Sequence, residues 1–75
     1  MERTWAEEAR ELSGLSPEAC AVAIGRSRTV YDLREKEPGG LTLDQVAGLW
    51  ITYNEEGRKA LWRYLERFNP VGSQI

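Results

Sequence analysis

The chain reads as an all-α protein of five short helices. Hydroxyl or amide residues repeatedly stand ahead of an apolar run, with glycine or proline behind it, which is the punctuation of helix ends. Between these stops the apolar residues recur at spacings of three and four, one face of a helix. Nowhere do they alternate as a half-buried strand would. The chain has 75 residues, enough for one domain that must gather most of its apolar side chains into one core.

Thr4-Trp5-Ala6-Glu7 has capping-box spacing, and Trp5, Ala9 and Leu12 give a helix at about 5–13 ending at Ser13-Gly14. Ser16-Pro17 opens a second at 17–24. Proline sits where its missing N–H costs nothing, and the helix is apolar nearly all round, predicting burial on most sides. Ser27 caps a third over 28–36. Its greasy residues Val30 and Leu33 predict the inward face, with Arg28, Asp32 and Glu35 opposite and Tyr31 to one side. Pro38-Gly39-Gly40 ends it. Thr42 repeats the capping box with Gln45 for a helix over 43–53, and Asn54 caps a last helix over 55–68. The domain thus spans 1–69, with 70–75 a loose C-terminal tail.

Composition removes several functions. The sequence has no histidine, hence no imidazole base and no Cys/His zinc site, and neither a metal nor another cofactor is expected. One cysteine excludes an internal disulfide; Cys20, among small apolar residues, is expected in the core. No carboxylate pairs with a nucleophile, a phosphate loop or a metal set, so the chain is not expected to be an enzyme. Apolar stretches are too short to span a membrane, and Met1-Glu2-Arg3-Thr4-Trp5 lacks the order of a signal peptide. A cytoplasmic protein is expected.

The net charge of −2 hides an uneven distribution. Residues 1–18 carry five acidic and two basic groups, residues 38–54 a single Asp44. The basic groups lie in 26–37 (Arg26, Arg28, Arg34, Lys36) and in 55–67 (Arg58, Lys59, Arg63, Arg67), each opposed by three acidic ones. Local charge governs docking more than the total does. In the second stretch, pairing along a solvated helix face is expected.

The segment from Leu15 to Leu33 carries most information. A short helix, a three-residue turn opening on Gly25 and a second helix form a helix-turn-helix pattern. Ala21 is small where the second helix crosses, and the polar start Arg26-Ser27-Arg28-Thr29 is left outside. The run Leu15-Ser16-Pro17-Glu18-Ala19-Cys20-Ala21-Val22-Ala23-Ile24-Gly25-Arg26-Ser27-Arg28-Thr29-Val30-Tyr31 resembles the helix-turn-helix of Cro/CI-type (XRE-like) phage and prophage repressors. Pro38-Gly39-Gly40-Leu41-Thr42-Leu43-Asp44-Gln45-Val46 resembles that family's next loop and fourth helix, so the likeness covers about 5–53. It departs in having Ser27 where an apolar residue is usual, with Val30 and Leu33 one residue early, which predicts a tighter turn.

The resemblance implies a compact five-helix lambda-repressor-like DNA-binding domain whose second motif helix enters the major groove. Arg28, Tyr31 and Asp32 are then the base-edge candidates, since arginine can bond guanine bidentately and aspartate can accept from cytosine. Arg26, Ser27, Thr29 and Lys36 are expected on phosphates, with Ser16 a further phosphate contact. A plainer reading has Arg26 and Arg28 solvated or paired to Asp32 and Glu35, with Asp32 orienting Arg28 one turn back.

The partner so implied is double-stranded DNA, bound by a transcription regulator. An excess of aromatic side chains suggests a homodimer through the last helix, at Leu61, Trp62, Leu65 and Phe68. Otherwise the aromatic residues, all three tryptophans included, are expected mostly in the core. The alternative is a protein-binding helical module, such as an antitoxin, an adaptor or a phage inhibitor of a host protein, favoured by the acidic first helix (Glu2, Glu7, Glu8, Glu11).

Overall fold

The computed structural model describes residues 3–67, which form five α-helices without strands. These are α1 (Trp5–Ser13), α2 (Pro17–Ile24), α3 (Arg28–Lys36), α4 (Leu43–Thr52) and α5 (Glu55–Glu66), with a 3-10 turn at Pro38–Gly40 after α3. Helices α4 and α5 end one and two residues short of the sequence reading. Phe68 and the tail expected at 70–75 lie outside the described residues.

Every α-helix begins on a side chain that accepts from its own first turn. Thr4 accepts from the Glu7 N–H at 3.2 Å, Ser16 from Ala19 at 3.1 Å, Ser27 from Val30 at 3.3 Å and Asn54 from Gly57 at 2.9 Å. Thr42 forms the full capping box, Gln45 reaching back to its N–H at 3.0 Å. Each such cap contributes about 1 kcal/mol.

Two close crossings hold the helices together. α1 packs along α5, and a Cβ built on Gly57 would lie 2.7 Å from the Ala9 carbonyl oxygen. α2 packs on α4, where a Cβ on Gly48 would lie 2.5 Å from the carbonyl oxygen of Ala23. Between the pairs lies a core of Ala9, Cys20, Ala21, Ile24, Tyr31, Leu49, Tyr53 and Ala60. The larger aliphatic side chains there contribute about 1.5–3 kcal/mol each by leaving water.

The structure differs from the sequence reading in two places in the core and one on the surface of α5. Val22 is 79% exposed, because α2 is covered by α3 and α4 but open on its third side. Trp50 and Trp62 stand at the surface, whereas small residues and tyrosines fill the centre. On α5 only Lys59 pairs along the helix, with Glu56 at 3.4 Å; Arg63 instead reaches Glu8 of α1 at 3.2 Å. No helix among the described residues is long and apolar enough to cross a membrane.

Candidate functional site

The turn joining α2 to α3 consists of Gly25, Arg26 and Ser27. Gly25 is left-handed (φ 69°), a conformation in which a Cβ crowds the following carbonyl. Its N–H returns to Val22 and that of Arg26 to Ala21, both at 3.0 Å, so two orphan carbonyls of α2 are satisfied inside the turn, while that of Ile24 accepts from Gln45 Nε2 of α4 at 3.4 Å. Arg26, Ser27, Arg28 and Thr29 all remain exposed.

α3 is anchored along the opposite side. Tyr31 is fully buried, and its hydroxyl donates to Oε1 of Glu35 at 2.7 Å. Arg10 of α1 donates through Nε to the same oxygen at 2.7 Å, and through Nη1 to the Leu15 carbonyl at 3.1 Å. The Thr4 hydroxyl donates to the Glu35 carbonyl at 2.5 Å. Burial, then the bond to Glu35, push the Tyr31 phenol far above the ordinary tyrosine range. The bond to Glu35 likewise raises Arg10.

This anchoring corrects the reading of α3. Tyr31 was expected on base edges; with no exposed surface it cannot reach a ligand. Glu35, expected outside, faces in, while Leu33, expected inside, is 58% exposed. The apolar count along α3 favoured Val30 and Leu33, but a tyrosine with a carboxylate one turn later satisfies its own hydroxyl and can be buried. The turn between Ile24 and Arg28 has the expected three residues, and the inward residue after it is Tyr31.

Arg28 and Asp32 are brought together. Arg28 Nε donates to both Asp32 oxygens, at 3.0 and 3.2 Å, and its Nη1 bonds Glu18 of α2. Hydrogen bonding to Asp32, with smaller help from Glu18, raises the guanidinium further. Both side chains stay about half exposed, so the fork is oriented but reachable. Ser16 and Ser27 use their oxygens as helix caps and keep their O–H groups for an outside acceptor.

A second cation group lies beside this one. Arg26 and Arg34 line a recess shared with Thr42 and Gln45 at the start of α4. The Arg34 guanidinium lies over Gly40, where a Cβ would come within 3.1 Å of Nη1. Arg34 was not among the sequence candidates; the side-chainless Gly39-Gly40 that follows α3 was the signal that room existed for it. Arg26, Arg34 and Lys36 make no ion pair among the described residues, and Lys36 is exposed at the far end of α3. Leu33 lies between Thr29 and Lys36 at helical spacing, an apolar side chain on a polar face.

The exposed side of α3 therefore offers hydroxyls and unpaired cations suited to phosphate oxygens, an oriented arginine fork and one apolar contact. No group of three or more acidic or cysteine side chains able to hold a metal occurs among the described residues. Cys20 is buried in the core, and burial pushes its thiol up, away from a reactive thiolate. Comparison with protein-family models, with characterised proteins and with solved structures gives no match for this chain.

Proposed function

We propose that the chain is a sequence-specific DNA-binding regulator that uses α2 and α3 as a helix-turn-helix, with α3 entering the major groove. One observation carries this reading. α3 is held rigidly by a single buried face through Tyr31 and Glu35, and its outward face begins immediately after a tight turn with Arg26, Ser27, Arg28 and Thr29. A positioned helix whose first turn is polar, basic and unobstructed suits base-edge contact.

Contacts divide by chemistry. Arg28, oriented by Asp32, reads a guanine edge, and Asp32 can accept from a neighbouring cytosine amino group. Leu33 meets a thymine methyl group. Arg26, Arg34, Lys36, Thr29 and the hydroxyls of Ser16 and Ser27 take phosphate oxygens, which set register and supply affinity without sequence information. One domain with so few phosphate contacts binds weakly at physiological salt. Specific occupancy therefore needs two copies on half-sites one helical turn apart.

The test is selection of bound duplexes from a randomised library, followed by anisotropy titration at about 50 and 200 mM salt. An enriched motif, bound well above random duplex and weakened by salt with a slope of roughly 3 per domain, supports the reading. No enrichment, and equal affinity for any duplex, would make α3 a scaffold and turn attention to a protein partner.

A further inference from the structure

α5 presents two surfaces. The one expected to join two copies keeps Trp62 and Leu65 exposed, but Leu61 belongs to the interior. The other borders a cleft of about 350 Å³, with Arg63, Tyr64 and Arg67 on one side and Arg3, Trp5 and Glu8 on the other. None of these residues is among the proposed DNA contacts, so this cleft and the exposed face of α3 stand or fall apart.

We infer that this cleft binds a small ligand in which a flat ring carries an oxyanion, either phosphate or carboxylate. Charge is the first argument. The chain as a whole carries −2, yet three guanidiniums and one carboxylate line the cleft, leaving two cations in excess. Glu11, which pairs with Arg3 at 2.7 Å, lies outside the lining. Arg63 reaches Glu8 at 3.2 Å through Nη2. Arg67 makes no ion pair among the described residues and lies over the Tyr64 ring, 5.7 Å from its centroid, which orients its planar fork. A guanidinium has five N–H donors, so three of them, each held by at most one acid, keep donors for a further oxyanion. Tying α1 to α5 accounts for Arg63 with Glu8; it does not account for Arg3 and Arg67 at the same cleft.

The rings are the second argument. Trp5 and Tyr64 meet with centroids 5.8 Å apart and planes tilted by 34°, an aromatic wall beside the cations. Trp5 packs on the core but is only half-buried, and Tyr64 likewise, so both keep surface for a ligand. An inorganic anion would engage the arginines and leave that wall bare; a neutral ring would do the reverse. A ring bearing an oxyanion uses both. The volume lies toward the lower end for small-molecule sites, which suits a mononucleotide or an acid of one or two rings.

The experiment is a nitrogen-15 NMR titration of the full chain, without DNA, up to about 5 mM of each of four probes: adenosine monophosphate, indole-3-acetate, adenosine and inorganic phosphate. Saturable shifts at the Trp5 indole N–H and the Tyr64 and Arg67 amides are expected with the first two, at least about tenfold tighter than with the last two. Tighter binding of the monophosphate assigns a phosphate ligand, and tighter binding of indole-3-acetate a carboxylate. Arg67→Gln should weaken the better probe at least about fivefold, and Glu8→Gln, which removes the opposing charge, should tighten it about threefold. Neither side chain belongs to the core, so the helical circular dichroism should be unchanged in both variants. No saturable shift at the cleft would overturn the proposal. So would shifts confined to α3, phosphate or adenosine binding as tightly as the charged rings, or an affinity indifferent to Arg67→Gln.

Discussion

Arg10 on α1 and Glu35 on α3 form the one ion pair in the described structure whose two side chains are both largely shielded, each 16% exposed, at 2.7 Å. It joins the first helix to the helix proposed to read DNA, and Tyr31 donates to the same carboxylate oxygen. Removing one partner leaves the other charge poorly solvated, which costs more than the pair itself contributes. Glu35→Ala should therefore destabilise the fold by about 2–3 kcal/mol. In a domain of this size that lowers Tm by roughly 10 °C or more. An unchanged thermal melt would show that the pair does not hold α3.

The two buried tyrosines should respond oppositely to loss of their hydroxyls. The Tyr53 hydroxyl is buried without a hydrogen-bond partner, whereas that of Tyr31 donates to Glu35. Tyr53→Phe removes an unsatisfied group and should be neutral or stabilising by up to about 1 kcal/mol; Tyr31→Phe should cost about 1.5–2 kcal/mol. Urea denaturation of both variants measures the contrast, and equal effects would contradict it.

Alkaline pH gives a second test of these phenols. Burial holds both above the ordinary tyrosine value of about 10, so between that value and the folded one the native state keeps protons that the unfolded chain has released. Stability is then full below about pH 10 and falls as pH rises, by up to about 1.4 kcal/mol per pH unit for each phenol. Cys20, raised by burial from near 9, starts the decline slightly earlier. Melting curves from pH 8 to 11 should show the fall, and Y31F/Y53F should flatten it. A wild-type melt flat across that range would refute the burial of both groups.

Gly25 and Gly48 are both glycines for different reasons, and substitution separates them. At Gly25 a side chain meets no atom within 4 Å but must adopt a left-handed backbone, so Gly25→Ala should cost about 1 kcal/mol. At Gly48 the backbone is ordinary helix but the new carbon would meet the Ala23 carbonyl oxygen at 2.5 Å. That oxygen belongs to a helix and cannot swing away, so Gly48→Ala should cost about 2–3 kcal/mol by forcing α2 and α4 apart. The order of the two in chemical denaturation is the readout.

Arg28 and its two carboxylates predict a gain as well as a loss. Arg28→Ala should weaken binding to a selected site by about 1–3 kcal/mol and relax one base position. Equal weakening on random duplex would reassign it to phosphate. Glu18 holds the same guanidinium from the first turn of α2 through an exposed contact. Glu18→Gln should free Arg28, remove a charge that repels phosphate and tighten binding several-fold. Unchanged or weaker binding would argue against an Arg28 contact to DNA.

Helix ends were legible because they are local. Ser16-Pro17, Ser27, Thr42 with Gln45, and Asn54 each carry their instruction within four residues, and the caps form at those positions. What lies on each helix's inward face was less legible. Tyr31 was hidden by two greasier neighbours, and its burial depends on Arg10 and Glu35, residues 21 and 4 positions away. Arg34 joins Arg26 only because the turn at Pro38–Gly40 brings the start of α4 alongside.

The sequence by itself determined an all-α chain, the starts of its five helices and the exposed basic turn at Arg26-Ser27-Arg28, because capping, glycine turns and proline stops act over a few residues. Tertiary structure alone decided which way α3 is rotated, which cations stay unpaired and which aromatic side chains remain outside. The rotation of α3 follows from Arg10 and Tyr31 meeting Glu35, and the packing of the other helices from crossings at Gly48 and Gly57, where backbones separated by more than 20 residues approach within the width of a side chain. Contacts of that kind are set by packing across the whole domain, and no local spacing encodes them.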